Sequence, residues 1–346
     1  MKTANWLSST DRGPLRSDSH VLSASAWAIA LPIAAILCGT ISSRTVEAWR
    51  QAAPRATFTV AVNTSTIEAA PVYVAAARPG GAAFTVINGG VRNLSDNGVQ
   101  AATNSETQML LATPANPRIR MLLTVAEGRY RIIGRKSAGI NALADLRGKR
   151  ITTAPQTSAH YYLFKLLNSA GLMESDVTLV NVGRTDMAQA IARHDADAIS
   201  MWEPEAQKAL DSLGRDASVF ENVPLYREWF SLYTTTDVLN DAATRARLVD
   251  FVRALLTASN LVRNRPQEAI PIVARNIAQT EAVVKSAWAR HAFPASLPAQ
   301  MLDVLTEEEI WVAKLQQRAP RTRAQLAGFI DPSILTEARR PAGRTP

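Results

Sequence analysis

From Thr57 to Pro204 the chain repeats one arrangement: a short apolar run, a polar loop, then a stretch with helical spacing. The clearest copy is "RITTA" (Arg150 to Ala154), then the loop "PQTS", then "AHYYLFKLLNS". In that last stretch Leu163, Leu166, Leu167 and Ala170 recur on one helical face. Gly171 follows where a left-handed C-terminal cap belongs. "DVTLVNV" (Asp176 to Val182) leads to the helix "DMAQAIAR", with Thr185 placed to cap it. "ADAISM" leads to Trp202-Glu203-Pro204, where proline suits a first helical turn. Strands that alternate with helices imply parallel sheets joined by right-handed crossovers, hence an α/β fold.

The first half repeats the theme. "TFTVAV" (Thr57 to Val62) precedes the loop "NTSTIE" and an alanine-rich helix over Ala69 to Ala77, stopped by Pro79, Gly80 and Gly81. "AFTVI" (Ala83 to Ile87) and the weaker "GVQAAT" (Gly98 to Thr103) read as two further strands. The connection between them, "NGGVRNLSDN", is short and glycine-rich for a crossover helix. Beyond "WFSLYTTTDVLN" (Trp229 to Asn240) the chain reads as helical to its end, with Leu248, Phe251, Val252, Leu255 and Leu256 forming one buried stripe.

In a parallel sheet every strand-to-helix loop lies at the same carboxyl edge, where ligands bind. Pro155 to Ser158, Gly183 to Thr185 and Trp202 to Glu203 are therefore expected on one rim. Asn63 to Thr66, including Thr64 and Ser65, and Asn104 to Thr107 are expected on the other. Two such units predict two lobes facing each other across a cleft.

Composition narrows the function classes. The 346 residues, 47% hydrophobic and 20% charged, describe a globular chain long enough for two lobes. The net charge is +8, with arginines spread along the chain rather than concentrated on one element among aromatics. That distribution argues against nucleic-acid binding and fits attraction for small anions. The single cysteine, Cys38, lies in an N-terminal apolar stretch, so no disulfide framework or cysteine nucleophile is expected in the folded part. Basic residues Lys2, Arg12 and Arg16 precede that stretch, whose core runs from Ala26 to Ile41. It reads as an export signal, or alternatively as an uncleaved anchor giving membrane contact, with Glu47 to Ala56 as a linker.

Several residues bear two readings. Thr157 and Ser158 are N-cap types, but the amides they would cap also suit an anion. His160, in the first turn, either points into the cleft or packs. Ser105, Glu106 and Thr107 repeat the arrangement; Glu106 either complements the helix dipole or selects an amine or hydroxyl on a ligand. Trp202 offers a flat wall to an apolar portion or packs between lobes, with Glu203 beside it. Arg184 either pairs with an anion or is solvated. No phosphate-binding glycine loop, dinucleotide fingerprint, nucleophile elbow or zinc-ligand spacing is present. No metal, cofactor or catalytic group is expected, and the chain is not expected to be an enzyme.

"DLRGKRITTAPQTSAHYYLFKLLNSAGL" followed by "DVTLVNVGRTDMAQAIARHDADAISMWEPEAQKA" resembles the substrate-binding proteins of nitrate, sulfonate and taurine ABC transporters. This is the group named for its similarity to the yeast pyrimidine-synthesis protein. The matching features are D-L-x-G-K, T-S-x-H-Y, a D-V strand, a D-A strand and W-E-P, between Asp145 and Pro204. The resemblance implies a type II periplasmic-binding-protein-like fold, each lobe a mostly parallel sheet flanked by helices. One lobe would comprise 57–128 plus 234–346 and the other 129–233, with 1–56 as signal or anchor and linker. It further implies a monomeric extracytoplasmic protein holding a small anion for a permease and ATPase. The implied ligand-binding residues are Thr64, Ser65, Ser105, Glu106, Thr107, Thr157, Ser158, His160, Arg184, Trp202 and Glu203. A membrane-anchored sensing module of the same fold, or a binder of a pyrimidine precursor, are the alternatives.

Overall fold

The computed structural model describes residues 58–78, 83–96 and 98–341. The expected signal or anchor and its linker therefore lie outside the described residues. Two sheets carry the fold. In the first, β1 (Phe58–Val62) lies between β2 (Phe84–Asn88) and β3 (Ala101–Asn104), all parallel. β10 (Glu228–Thr235) then pairs antiparallel with both β3 and β4 (Ile119–Gly128), and the short β11 (His291–Ala292) closes the edge beside β4.

In the second sheet β6 (Arg150–Thr153) is parallel to β7 (Thr178–Val180) and to β8 (Ala198–Met201). β5 (Arg131–Arg135) runs antiparallel to β8 and to β9 (Ala217–Phe220). The α/β, two-lobed expectation holds, but both sheets are mixed rather than mostly parallel. The parallel strands are the ones legible from loop and helix signals; β4, β5, β9 and β10 add the antiparallel pairings.

The chain passes from the first sheet to the second between Gly128 and Arg131 and returns between Phe220 and Glu228. The return thus precedes β10, ahead of the expected crossing near Tyr233. Leu248, Phe251, Val252 and Leu255 of the helix Ala242–Asn264 are buried as expected, whereas Leu256 is only partly covered. Phe251 packs between Phe58 and Phe84, its ring centroid 5.7 and 4.7 Å from theirs. Asp241 caps this helix, its Oδ1 accepting from Thr244 N at 2.8 Å. In the helix Ser158–Ser169, Leu163, Leu166 and Leu167 are buried, and Gly171 ends it at φ +70°, the left-handed geometry its position implied. In place of a crossover helix between β2 and β3 stands a single 3-10 stretch, Val91–Ser95. Among the described residues no helix is long and apolar enough to cross a membrane.

Candidate functional site

The carboxyl rims of both sheets converge on a cavity of about 340 Å³. From the first sheet come the residues ending three parallel strands: Asn63 after β1, Asn88 closing β2 and Asn104 closing β3. The second sheet supplies Thr157 and Ser158 after β6, Arg184 after β7 and Trp202 after β8. Arg92, on the 3-10 stretch after β2, adds a second cation. A Cβ on Gly89 or Gly90 would displace the Asn93 or Asn104 carboxamide from its place at the cavity. Gly90 N donates to Asn93 Oδ1 at 2.9 Å, which holds that carboxamide at the rim.

Two carboxylates also line the cavity, Glu68 and Glu228. Burial, followed by the charges of Glu68 and Glu106, pushes the Glu228 carboxyl well above the usual carboxylate range. The Arg184 guanidinium lies over the Trp202 ring, 5.9 Å from its centroid. The site therefore combines carboxamides, hydroxyls, two guanidinium groups, one indole and two buried acids. Such a set binds a small polar molecule by hydrogen bonds and charge. Among the described residues no cluster of three or more His, Cys, Asp or Glu has the geometry to hold a metal ion.

Residues 88–269 match the family described as NMT1/THI5 like. The chain belongs to that family. No curated protein matches the chain. Among solved structures, the alkanesulfonate-binding protein SsuA from Xanthomonas axonopodis pv. citri, bound to MOPS, is 19% identical. It aligns over 81% of this chain and 99% of its own with a TM-score of 0.63. The periplasmic nitrate-binding protein NrtA from Synechocystis PCC 6803 is 13% identical over 82% of this chain and 88% of its own, with a TM-score of 0.64. The desulfurization enzyme DSZB is 18% identical over 82% of this chain and 99% of its own, with a TM-score of 0.56. At these identities the likeness establishes the fold.

Within this NMT1/THI5-like fold, Ser105, Thr157, Ser158, Arg184 and Trp202 are brought together at the cavity. The hydroxyls do not cap their helices, contrary to the capping reading. Thr157 occupies the N-cap position, yet its Oγ1 donates to Ala154 O at 2.7 Å. Ser158 Oγ donates to Glu228 Oε1 at 3.1 Å and shares a 2.8 Å hydrogen bond with the Tyr130 hydroxyl. The first-turn amides of this helix thus keep no side-chain cap, which leaves the helix start to the cavity.

The other expected residues stand behind the wall. Thr64 Oγ1 donates to Asn88 Oδ1 at 2.9 Å and Ser65 Oγ to Asn63 Oδ1 at 2.7 Å, so both orient cavity carboxamides from outside. Glu106 is fully buried, accepting from the Tyr226 hydroxyl and from Trp229 N at 2.8 Å. Burial raises its carboxyl to about 7 despite those donors. Thr107 donates to Glu308, away from the cavity. His160 packs: its Nδ1 accepts from Gln156 N at 3.2 Å, its Nε2 lies 2.8 Å from Glu174, and its ring meets Trp311 edge-on. Glu203 is held by Arg131 at 2.7 Å and accepts from Gln207 N at 3.0 Å, which ties β5 to the chain after β8.

Sequence reasoning passed over the asparagines, although a signal was present. Val62-Asn63, Ile87-Asn88 and Thr103-Asn104 place the same side chain at the end of three consecutive parallel strands. Glu68 and Glu228 gave no such signal. Their convergence depends on β10 and on Gly128, which the loop-and-helix pattern does not position.

Proposed function

We propose that this protein is an extracytoplasmic solute-binding protein that captures a small organic anion, of the sulfonate, taurine or nitrate kind. It would hand that ligand to the permease and ATPase of an ABC importer. The observation carrying this reading is a single cavity at the carboxyl rims of both sheets, with Arg92, Arg184 and an uncapped helix start around it. Free amides at a helix start and a guanidinium over an aromatic ring are suited to an anionic head group beside an apolar linker. In this reading the protein binds its ligand without chemical change. A membrane-anchored sensor is the second reading, favoured by the apolar run from Ala26 to Ile41. Intact mass of the exported protein separates the two, since retention of that run supports anchoring.

Calorimetric titration with alkanesulfonates, taurine and nitrate tests the binding reading. Binding is expected for at least one, and Arg184→Ala should weaken it about tenfold or more, the cost of one hydrogen bond to charge. Absence of binding across the panel, with the protein folded, would overturn the reading.

A further inference from the structure

The cavity is polarised. Its two cations follow edge strands: Arg92 comes after β2 and Arg184 after β7. Its two acids gather on the far side of the first sheet, where β4 ends and β10 begins. A Cβ on Gly128, the last residue of β4, would stand 3.0 Å from Glu228 Oε2 and 3.3 Å from Glu68 Oε1. Both carboxylates thus close over one glycine, in space that any side chain there would take. At about 5 Å per strand step, four steps separate β2 from β4 in this sheet. The side chains of both ends reach into the one cavity that lies between them.

Glu68 is 2% exposed, and its Oε2 has no hydrogen-bond partner. Its Oε1 lies 3.4 Å from His291 Nε2, so the histidine serves one oxygen only. Glu228 Oε1 accepts from the Ser158 hydroxyl. A buried acceptor left without a donor is costly, and an ammonium brought against it supplies donors that an anion lacks. A plain inorganic anion satisfies the guanidinium end and leaves Glu68 Oε2 without a donor. A ligand with an ammonium group satisfies both.

Resting on the solute-binding reading above, we infer that the ligand is bifunctional. Its acid group faces Arg92 and Arg184, and an amine at its other end donates to Glu68 and Glu228. The class is the amino-sulfonates and amino-carboxylates, rather than simple sulfonates or nitrate.

Matched pairs test this, each differing only in the amine: taurine against ethanesulfonate, and β-alanine against propionate, titrated by calorimetry into the intact protein. The amine-bearing member of at least one pair should bind about tenfold or more tightly than its partner, the effect of one charge-assisted hydrogen bond. Glu68→Gln and Glu228→Gln, checked for folding by thermal melting, should each shrink that ratio toward one. Equal or tighter binding of the amine-free members overturns this inference and leaves the solute-binding reading standing. Binding of none of the four, with simple alkanesulfonates and nitrate also silent, overturns both. The pair comparison uses the unsubstituted protein and so does not depend on the variants folding.

Discussion

Ser158 carries more than its place in a helix start suggests. Its hydroxyl meets Tyr130 and Glu228 in a pocket where the serine itself is 2% exposed. Ser158→Ala would strip the Tyr130 hydroxyl and the Glu228 carboxyl of a shared buried hydrogen-bond partner. Unsatisfied buried groups of this kind cost about 1–3 kcal/mol, and urea unfolding should show a loss in that range. Thr157→Ala serves as the comparison: its hydroxyl satisfies only a backbone carbonyl at the rim, so a smaller loss is expected. An equal, negligible loss for both would mean that the Tyr130–Ser158–Glu228 contact contributes nothing to stability. The residue scale is also where sequence reading reached its limit. That Thr157 and Ser158 stand at the cavity rim follows from strand-loop-helix order alone. What their hydroxyls touch does not, because Ser158 meets residues 28 and 70 positions away. Glu106 illustrates the same limit: a helix-start acid by sequence, it is turned inward by Tyr226 and Trp229, which only the folded chain brings near.

At the scale of elements, the strands that were legible are those followed by turn and helix signals. β4 and β10 were not, for a physical reason. Both are buried along nearly their whole length, on both faces, so neither shows the alternation that marks a half-exposed strand. The C-terminal helices were legible from spacing, but not what fastens them. Glu309, in the helix Met301–Leu315, binds both Arg318 and Arg321 in the segment that follows. Arg321 Nη2 in turn donates to Leu110 O at 2.9 Å, so the acid anchors this segment to the first lobe. Burial alone would raise the Glu309 carboxyl, but the two guanidinium groups hold it at about 2. Its folded value lies below the ordinary value near 4.3, so its stabilisation is complete above that pH and is lost as pH falls toward 2. Glu309→Gln should therefore be less stable than the parent at pH 6, with the gap closing as acid is added. Chemical denaturation at a series of pH values reads this directly; a gap that stays constant below pH 4 would contradict the anchor.

For the whole molecule, the decisive feature is that the chain crosses between its sheets twice, at Gly128 to Arg131 and at Phe220 to Glu228. We propose that these paired crossings act as a hinge, because the cavity draws its walls from both rims. Beyond the crossings, His160, Tyr161 and Phe164 pack against Trp311, and polar contacts add to them. Gln108 Nε2 donates to Gln156 O at 2.6 Å, and Lys165 pairs with Glu307 at the surface. Exposed contacts of this kind are worth about 1 kcal/mol or less each, so they can latch a closed state without making it permanent. A ligand bridging acid and guanidinium ends of the cavity touches both lobes at once and so favours closure by its own differential contacts. Small-angle scattering should then give a larger radius of gyration for the empty protein than for the saturated one, around a compact value of about 20 Å for a chain of this length. Gln108→Ala should loosen the empty state further while leaving the saturated radius unchanged, because the ligand replaces the latch. Identical radii for the empty and saturated protein, with calorimetry confirming occupancy, would mean that the lobes are fixed and that ligand is taken into a preformed pocket.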